Sequence, residues 1–464
     1  MYGVGVGVGC ARASWSNGAR ASEPRKVTTR TVSVRGTVPV ARSVARTHAV
    51  VVADTPPSSQ THAAVVAAHA SMPLPEPTGP HRVGVIEADV AAPTEAGVVP
   101  CVIYYPAGAS TAEPSYFSSE PTLQWLDARY AGALGRCHLA ETLGPYAAEV
   151  FMSALGPSAT GYERVRGAVG APALPAPAGG WPTAVFSHSM TGWRHVNSAF
   201  MSEIASRGAV AIHVEHCDGS ACLATAVGDG RVLAEYVSWQ DKEAELRAAH
   251  GDEQDAWAAA LAWRHGQCAT RVAETLAALD GVDGALLAAG VLPADVDITR
   301  GRFSRTSSGV AALGQSFGGA SAAACVARDD RGRFSHCLLY DPWLDGDGSD
   351  RHPLPDGDYA AAPLAALANL SIWRNGQSQL LATCSKNCDA LVARAGAAGR
   401  VHDYADAGHF AQTDAPVVFE QGPLSFVYDA LRGKDGAMDS ATALRRCTEE
   451  SVAALASFFS AESG

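Results

Sequence analysis

From about residue 82 onward the chain alternates short apolar runs with longer amphipathic stretches. Strands are predicted at residues 83–88, 99–105, 183–187, 209–214, 310–313, 337–340, 379–383 and 400–404, and helical periodicity separates most of the later ones. Residues 116–170 read as an insertion of helical segments, and 236–290 as a second long helical block rich in alanine and charge. Strands alternating with helices imply an α/β fold: a mainly parallel, doubly wound sheet covered on both faces, with ligands meeting the loops at the carboxyl ends of the strands. One domain is expected over 81–464.

The stretch on which this pattern turns is VAALGQSFGGASAAACVA, residues 310–327, a short strand, a glycine-bracketed turn and a helix. Gly314-Gln315-Ser316-Phe317-Gly318 is a G-x-S-x-G pattern. Gly314 and Gly318 remove the Cβ atoms that would clash where a strand reverses sharply into a helix. Such a turn lifts Ser316 out of the sheet and leaves its hydroxyl open to a base. It also sets the Phe317 amide at a helix start, where backbone N–H groups lack partners. In a chain so rich in Ala, Gly and Ser the five residues alone mean little; the strand before and the helix after give them weight.

A serine hydroxyl barely ionises at neutral pH, so it needs an imidazole to take its proton and a carboxylate to orient that imidazole. The expected order in such a fold is Ser, then Asp or Glu, then His. Downstream, the apolar run 337–340 ends in Asp341-Pro342-Trp343, which makes Asp341 the candidate acid, with Asp345, Asp347 and Asp350 as rivals further along the loop. Of the later histidines, His352 sits in a polar loop and His402 inside a predicted strand. His409 follows that strand in Ala407-Gly408-His409-Phe410, where a base belongs. Acyl transfer also needs donors for the tetrahedral oxyanion. One is expected from the Phe317 N–H and the other from Met190, in the loop after strand 183–187, with His188 bracing that loop. Asp345-Gly346-Asp347-Gly348-Ser349-Asp350 superficially resembles a calcium loop, but Asp350 stands where glycine is required and Asp356 where glutamate is required. It reads as a solvated acidic loop, so no metal and no organic cofactor is expected.

Composition narrows the field. Of 464 residues, 47% are apolar and 18% charged, which suits a protein with a sizeable core, and no apolar run is long enough for a transmembrane segment. The net charge of −12 hides an asymmetry. Arg12, Arg20, Arg25, Lys26, Arg30, Arg35, Arg42 and Arg46 face the single acid Glu23 within residues 1–50, so the rest of the chain is acidic and nucleic-acid binding is not expected. Residues 1–80 have a composition that builds no core, and read as a low-complexity disordered extension or an organellar transit peptide. A secretory signal is disfavoured by the Gly-Val alternation of MYGVGVGVG, and Tyr2 excludes N-myristoylation. An intracellular location is therefore favoured over a secreted one. The 11 cysteines form no CxxC pair, and thiols are the expected state, Cys384 and Cys388 being the pair close enough to invite a disulfide.

Several blocks together resemble, in order and spacing, the platelet-activating-factor acetylhydrolases, the plasma and type II intracellular group of lipoprotein-associated phospholipases A2. They are Tyr104-Tyr105-Pro106-Ala107, Val185-Phe186-Ser187-His188, Val214-Glu215-His216 with Asp218 and Ser220, Gly314 to Gly319, Asp341 to Trp343, Gly408-His409, and Gly433-Lys434-Asp435-Gly436 followed by Asp439-Ser440. The resemblance runs from about residue 82 to the end. It implies an α/β-hydrolase that needs no calcium and cleaves short or oxidatively truncated sn-2 acyl chains from glycerophospholipids. Ser316 would be the nucleophile, Asp341 the acid, His409 the base, and Met190 with Phe317 the oxyanion donors. The chain departs from the family at Gln315, where histidine is usual, and at Ser189, where glycine is usual and a positive φ would strain serine. Family members contact membranes or lipid particles through amphipathic helices, to which 123–135 and 422–433 correspond here. A general carboxylesterase or polyester hydrolase of the same fold, and a lipid-binding homologue with weakened catalysis, are the competing expectations.

Overall fold

Alternate residues of the central strands feed two different cores, which is what a sheet covered on both faces requires. Val310 and Ala312 join one cluster with Cys337 and Leu339, while Ala311 and Leu313 join the other with Leu338 and Tyr340. The computed structural model describes residues 74–108, 123–160, 163–292, 303–344, 369–375, 382–404, 406–420 and 438–460. In chain order these form β1 (Arg82–Ala91), β2 (Val98–Ala107), α1 (Ala128–Leu143), α2 (Pro145–Ala159), β3 (Ala168–Val169), β4 (Trp181–Ser187), α3 (Ser198–Ser206), β5 (Val210–Val214), β6 (Leu223–Thr225) and β7 (Val232–Glu235). There follow α4 (Trp239–His250), α5 (Glu253–Ala288), β8 (Ser304–Arg305), β9 (Val310–Gln315), α6 (Phe317–Arg328), β10 (Phe334–Tyr340), β11 (Asn369–Asn375), α7 (Ala382–Ala395), β12 (Gly399–Tyr404), α8 (Ala415–Glu420), α9 (Ser440–Ala454) and α10 (Ala456–Phe459).

The main sheet has ten strands in the order β12-β11-β10-β9-β4-β5-β2-β1-β3, with β8 paired to β4. From β5 to β12 the neighbours are parallel, and β2 is antiparallel to both β5 and β1. This is the mainly parallel α/β-hydrolase sheet expected from the sequence. Helices α5, α6 and α7 cover one face and α3, α9 and α10 the other. A third cluster packs α1, α2 and α8 around Trp125 and Trp193. The polar cap that starts α5 is Asp252, whose carboxylate accepts from the N–H groups of Gln254 and Asp255.

Three expectations need correcting. The strand expected at 379–383 lies earlier, at Asn369–Asn375, and Ala382 and Thr383 open α7; residues 376–381 are outside the described ones. The polar residues of NLSIWRN hide a strand in which Leu370, Ile372 and Trp373 are buried, whereas the neighbouring QLLAT is the more apolar run. Residues 74–80, assigned by composition to the extension, are held to the body. Leu74 is buried, its carbonyl accepts two bonds from Arg166, and Thr78 donates to Glu203 through both its N–H and its hydroxyl. The segment 123–135 does not offer an apolar face to lipid: Trp125, Leu126 and Tyr130 are buried, and the Trp125 indole donates to Asp414 Oδ2 at 3.1 Å. The other lipid-facing candidate, 422–433, and the acidic residues Asp345, Asp347 and Asp350 lie outside the described residues, as does His352. Among the described residues no helix is long and apolar enough to cross a membrane, and Cys384 and Cys388 are free thiols.

Because Trp125 packs edge-on against Trp193 and Phe419 in a closed cluster, Trp125→Ala should destabilise the fold by about 3–5 kcal/mol. Urea denaturation followed by fluorescence should show the midpoint fall; an unchanged midpoint would return this tryptophan to the surface.

Candidate active site

The strand ends are level, and this brings distant residues together. Ser187 at the end of β4 pairs in register with Val214 of β5 and Gly314 of β9, while Tyr340 at the end of β10 pairs with Gln315 and with Trp373 of β11. The loops that leave these ends therefore start from one row. Ser316 follows β9 directly at φ 57° and ψ −119°, a backbone conformation costly for a residue with a side chain. Its N–H donates to the Tyr340 carbonyl, and its own carbonyl accepts from Trp343 N–H at 2.9 Å, so the turn is pinned on both sides. The glycines are a steric necessity. A Cβ on Gly314 would collide with the Gly318 carbonyl, and one on Gly318 with the carbonyl of Ser187.

Asp341, next after β10, and His409, beyond β12, meet at this rim: His409 Nδ1 lies 2.5 Å from Asp341 Oδ2. Asp341 is buried at φ 41°, and its other oxygen accepts the Asn375 N–H at 3.0 Å. The His409 loop is tied down independently. Gln315 Nε2 donates to the His409 carbonyl at 2.9 Å and Asn375 Nδ2 to the Gly408 carbonyl at 2.8 Å. Asn375 and Gln412 exchange reciprocal amide bonds below it. Gln315 thus serves as a brace for the histidine loop. Among the described residues no hydrogen bond joins the Ser316 hydroxyl to His409 Nε2, and Ser316 itself is buried. His402, by contrast, lies stacked on Trp373 with ring centroids 4.4 Å apart.

The loop after β4 approaches the elbow from the other side. The positive φ anticipated at Ser189 falls instead on Thr191, at 57°, so serine at 189 imposes no backbone strain. Among the described residues neither the Met190 N–H nor the Phe317 N–H has a protein acceptor. The His188 ring lies within this loop and bonds both to it and to the segment after β5. Its Nε2 accepts the His216 N–H at 3.1 Å, which leaves Nδ1 protonated to donate to the Ser189 carbonyl at 2.6 Å. Burial, helped by the nearby Arg271 charge, pushes His188 down to about 3, so it stays neutral.

Beneath the loop lies a polar layer that the sequence reading did not find. Ser187 Oγ is 2.7 Å from His216 Nε2, and His216 Nδ1 is 2.8 Å from Glu274 Oε2. This has the atom order of a nucleophile relay, but all three residues are buried, out of reach of any substrate. Burial holds His216 uncharged and lifts the Glu274 carboxyl well above the usual range. Glu274 Oε1 also accepts the Cys217 N–H. The signal was present in the sequence: Gln267, Arg271 and Glu274 recur at helical spacing beside the apolar Cys268, Val272 and Leu279 on α5, placing polar groups where the helix meets the core.

An apolar pocket opens beside these groups, between Thr191 and Gly192 of the loop, Phe410 next to the histidine, and Leu134, Leu139 and Met152 of α1 and α2. The pocket is lined by residues flanking the two loops, Ser189 on one side and Phe410 on the other, and the chain is similar to known proteins. A family model described as platelet-activating factor acetylhydrolase, isoform II, matches residues 66–460. The platelet-activating factor acetylhydrolase of Cavia porcellus is 30% identical over 178 residues, 37% of this chain and 37% of that protein. That of Canis lupus familiaris is 30% identical over 188 residues, 39% of this chain and 38% of that protein. The chain thus aligns to well under half the length of these relatives. A ferulic acid esterase from Streptomyces cinnamoneus is similar in structure, with a TM-score of 0.50 and 20% identity over 84% of this chain and 92% of that one, a likeness of fold. With the family model matched from residue 66 to residue 460 on a sheet of this topology, the chain belongs to the platelet-activating factor acetylhydrolase, isoform II, family.

Proposed function

We propose that this protein is a calcium-independent serine hydrolase that removes short or oxidised sn-2 acyl groups from glycerophospholipids. The observation that carries the reading is the contact of His409 Nδ1 with Asp341 Oδ2 at the rim where Ser316 stands. Asp341 holds the imidazole with its proton on Nδ1 and stabilises the imidazolium that forms. Nε2 takes the Ser316 proton as Oγ attacks the ester carbonyl, and the N–H groups of Met190 and Phe317 receive the oxyanion. Collapse breaks the bond to the sn-2 oxygen, which leaves as lysophospholipid with the proton from Nε2. Water then gives its proton to the same nitrogen as its oxygen bonds the acyl carbon; the acyl C–Oγ bond breaks, the carboxylic acid leaves, and Ser316 Oγ takes the proton back from Nε2. Every proton in this cycle moves through His409, so the chemistry is complete without a metal.

The apolar pocket suits a short acyl chain. The route from a lipid surface is proposed to run over α2. Tyr146, Val150 and Leu155 on its outer side are 80%, 50% and 44% exposed, and the helix carries one charged residue, Glu149, while Met152 on its other side lines the pocket. Exposed apolar side chains of this kind, on a helix whose one carboxylate is paired with Arg136, mark a contact site for apolar partners.

A fluorophosphonate probe should label the protein at Ser316, and Ser316→Ala should abolish labelling and lower kcat by at least ~10⁴-fold. With chelator present, turnover of phosphatidylcholines should fall as the sn-2 chain is lengthened; equal rates on long chains, or hydrolysis of soluble aryl esters alone, would reject the phospholipid assignment. Asn375→Ala frees the histidine loop and should cost up to ~10²-fold in kcat while Ser316 remains labelled. Replacing Tyr146, Val150 and Leu155 together by serine should slow turnover of vesicle-borne substrate several-fold and leave hydrolysis of a soluble ester unchanged.

A further inference from the structure

Arg271 is a fully buried guanidinium in the middle of α5, and its partners surround both predicted oxyanion donors. Its Nη1 donates to the His188 carbonyl at 2.7 Å, two residues before Met190. Its Nη2 and Nε donate to Ser220 Oγ at 2.5 and 3.1 Å, and the Ser220 carbonyl in turn accepts the Thr191 N–H at 2.7 Å, one residue after Met190. The Met190 peptide is therefore held from both sides through one side chain. The same guanidinium lies over the Phe317 ring, 4.4 Å from its centroid. Asp218 Oδ2 accepts from Nε at 2.9 Å and compensates the charge, and Asp218 also accepts from the Ser220 hydroxyl.

We propose that Arg271 is a positioning residue that fixes the separation between the Met190 and Phe317 N–H groups, and so sets how well the site fits the tetrahedral intermediate rather than the bound ester. The proposal rests on the serine-hydrolase reading above. A planar fork with donors in fixed directions can reach the loop carbonyl and the Ser220 hydroxyl while standing over an aromatic ring, whereas an ammonium is a point charge on a flexible stem. Burying a cation between two catalytic loops is costly unless its partners are placed well. Here the partners are the segments whose spacing matters for catalysis. The neighbouring Ser187–His216–Glu274 line secures the start of the same loop from the same helix.

The test compares Arg271→Lys and Asp218→Asn with the wild-type chain on a soluble short-chain ester, after labelling to completion with a fluorophosphonate to count competent sites. In Arg271→Lys, kcat per labelled site should fall roughly 10²-fold with KM within about threefold, the split expected when an interaction made in the transition state is lost. Inhibition by a trifluoromethyl ketone, which forms a tetrahedral adduct, should weaken in parallel. In Asp218→Asn the guanidinium keeps its bonds to the His188 carbonyl and Ser220 Oγ but loses its counter-charge, and the single amide oxygen can replace only one of the two Asp218 acceptors; a smaller fall, roughly tenfold, is expected at unchanged KM. If kcat per labelled site stays within about threefold of wild type and only the number of labelled sites drops, Arg271 merely stabilises the fold and the proposal is overturned. Should Arg271→Lys not fold, Asp218→Asn decides alone by the same criterion. A wild-type chain that takes up no label at Ser316 would instead reject the hydrolase reading itself.

Discussion

Gly318 approaches the Ser187 carbonyl more closely than any side chain would permit, and the site depends on that approach. It seats the first turn of α6 against the end of β4, so the strand that leads to Met190 and the helix that begins at Phe317 become a single packed unit. Gly314 beneath and Gly319 against Pro342 extend the same contact towards β10. Any Cβ in this seam would tilt α6 away from the sheet and carry Phe317 with it. The positive φ of Ser316 is then a consequence: with strand and helix both fixed, the residue between them takes the only backbone conformation that joins them, and surrounding hydrogen bonds sustain the strain.

Much of this was legible in the sequence, and for local reasons. A G-x-S-x-G turn between a buried strand and an alanine-rich helix has few structural solutions; Asp341 directly follows an apolar run, and His409 follows the short predicted strand 400–404 across a glycine-containing loop. Strand β11 escaped because Asn369, Ser371, Arg374 and Asn375 mask its buried positions. The packing of Trp125 was invisible because an amphipathic segment looks alike whether its apolar side meets lipid or another helix. The positive φ at Thr191 rather than Ser189 depends on loop geometry that residue types alone do not encode. Arg271 and Glu274 share a helical face with apolar residues, a signal easily passed over on a long charged helix.

Two buried guanidiniums perform comparable tasks beside the sheet. Arg194 joins Glu87 of β1 and Glu215 after β5, and also donates to the Tyr130 hydroxyl, which locks α1 onto the strands. Arg271 joins the elbow to the loop after β4. Each is matched by buried carboxylates, so the acidic surplus of the chain is partly an internal requirement of its own cations rather than a surface property.

The anchoring of residues 74–80 bears on how the chain can be shortened. Leu74 plugs the cluster around Trp125, and Thr78 caps the Glu203 carboxylate on α3, which would otherwise rely on Arg207 alone. A version trimmed to the first residue of β1 would uncover that cluster and leave Arg166 without its backbone acceptor. The packed body therefore begins no later than Leu74, at a boundary set by tertiary contact rather than by where secondary structure starts.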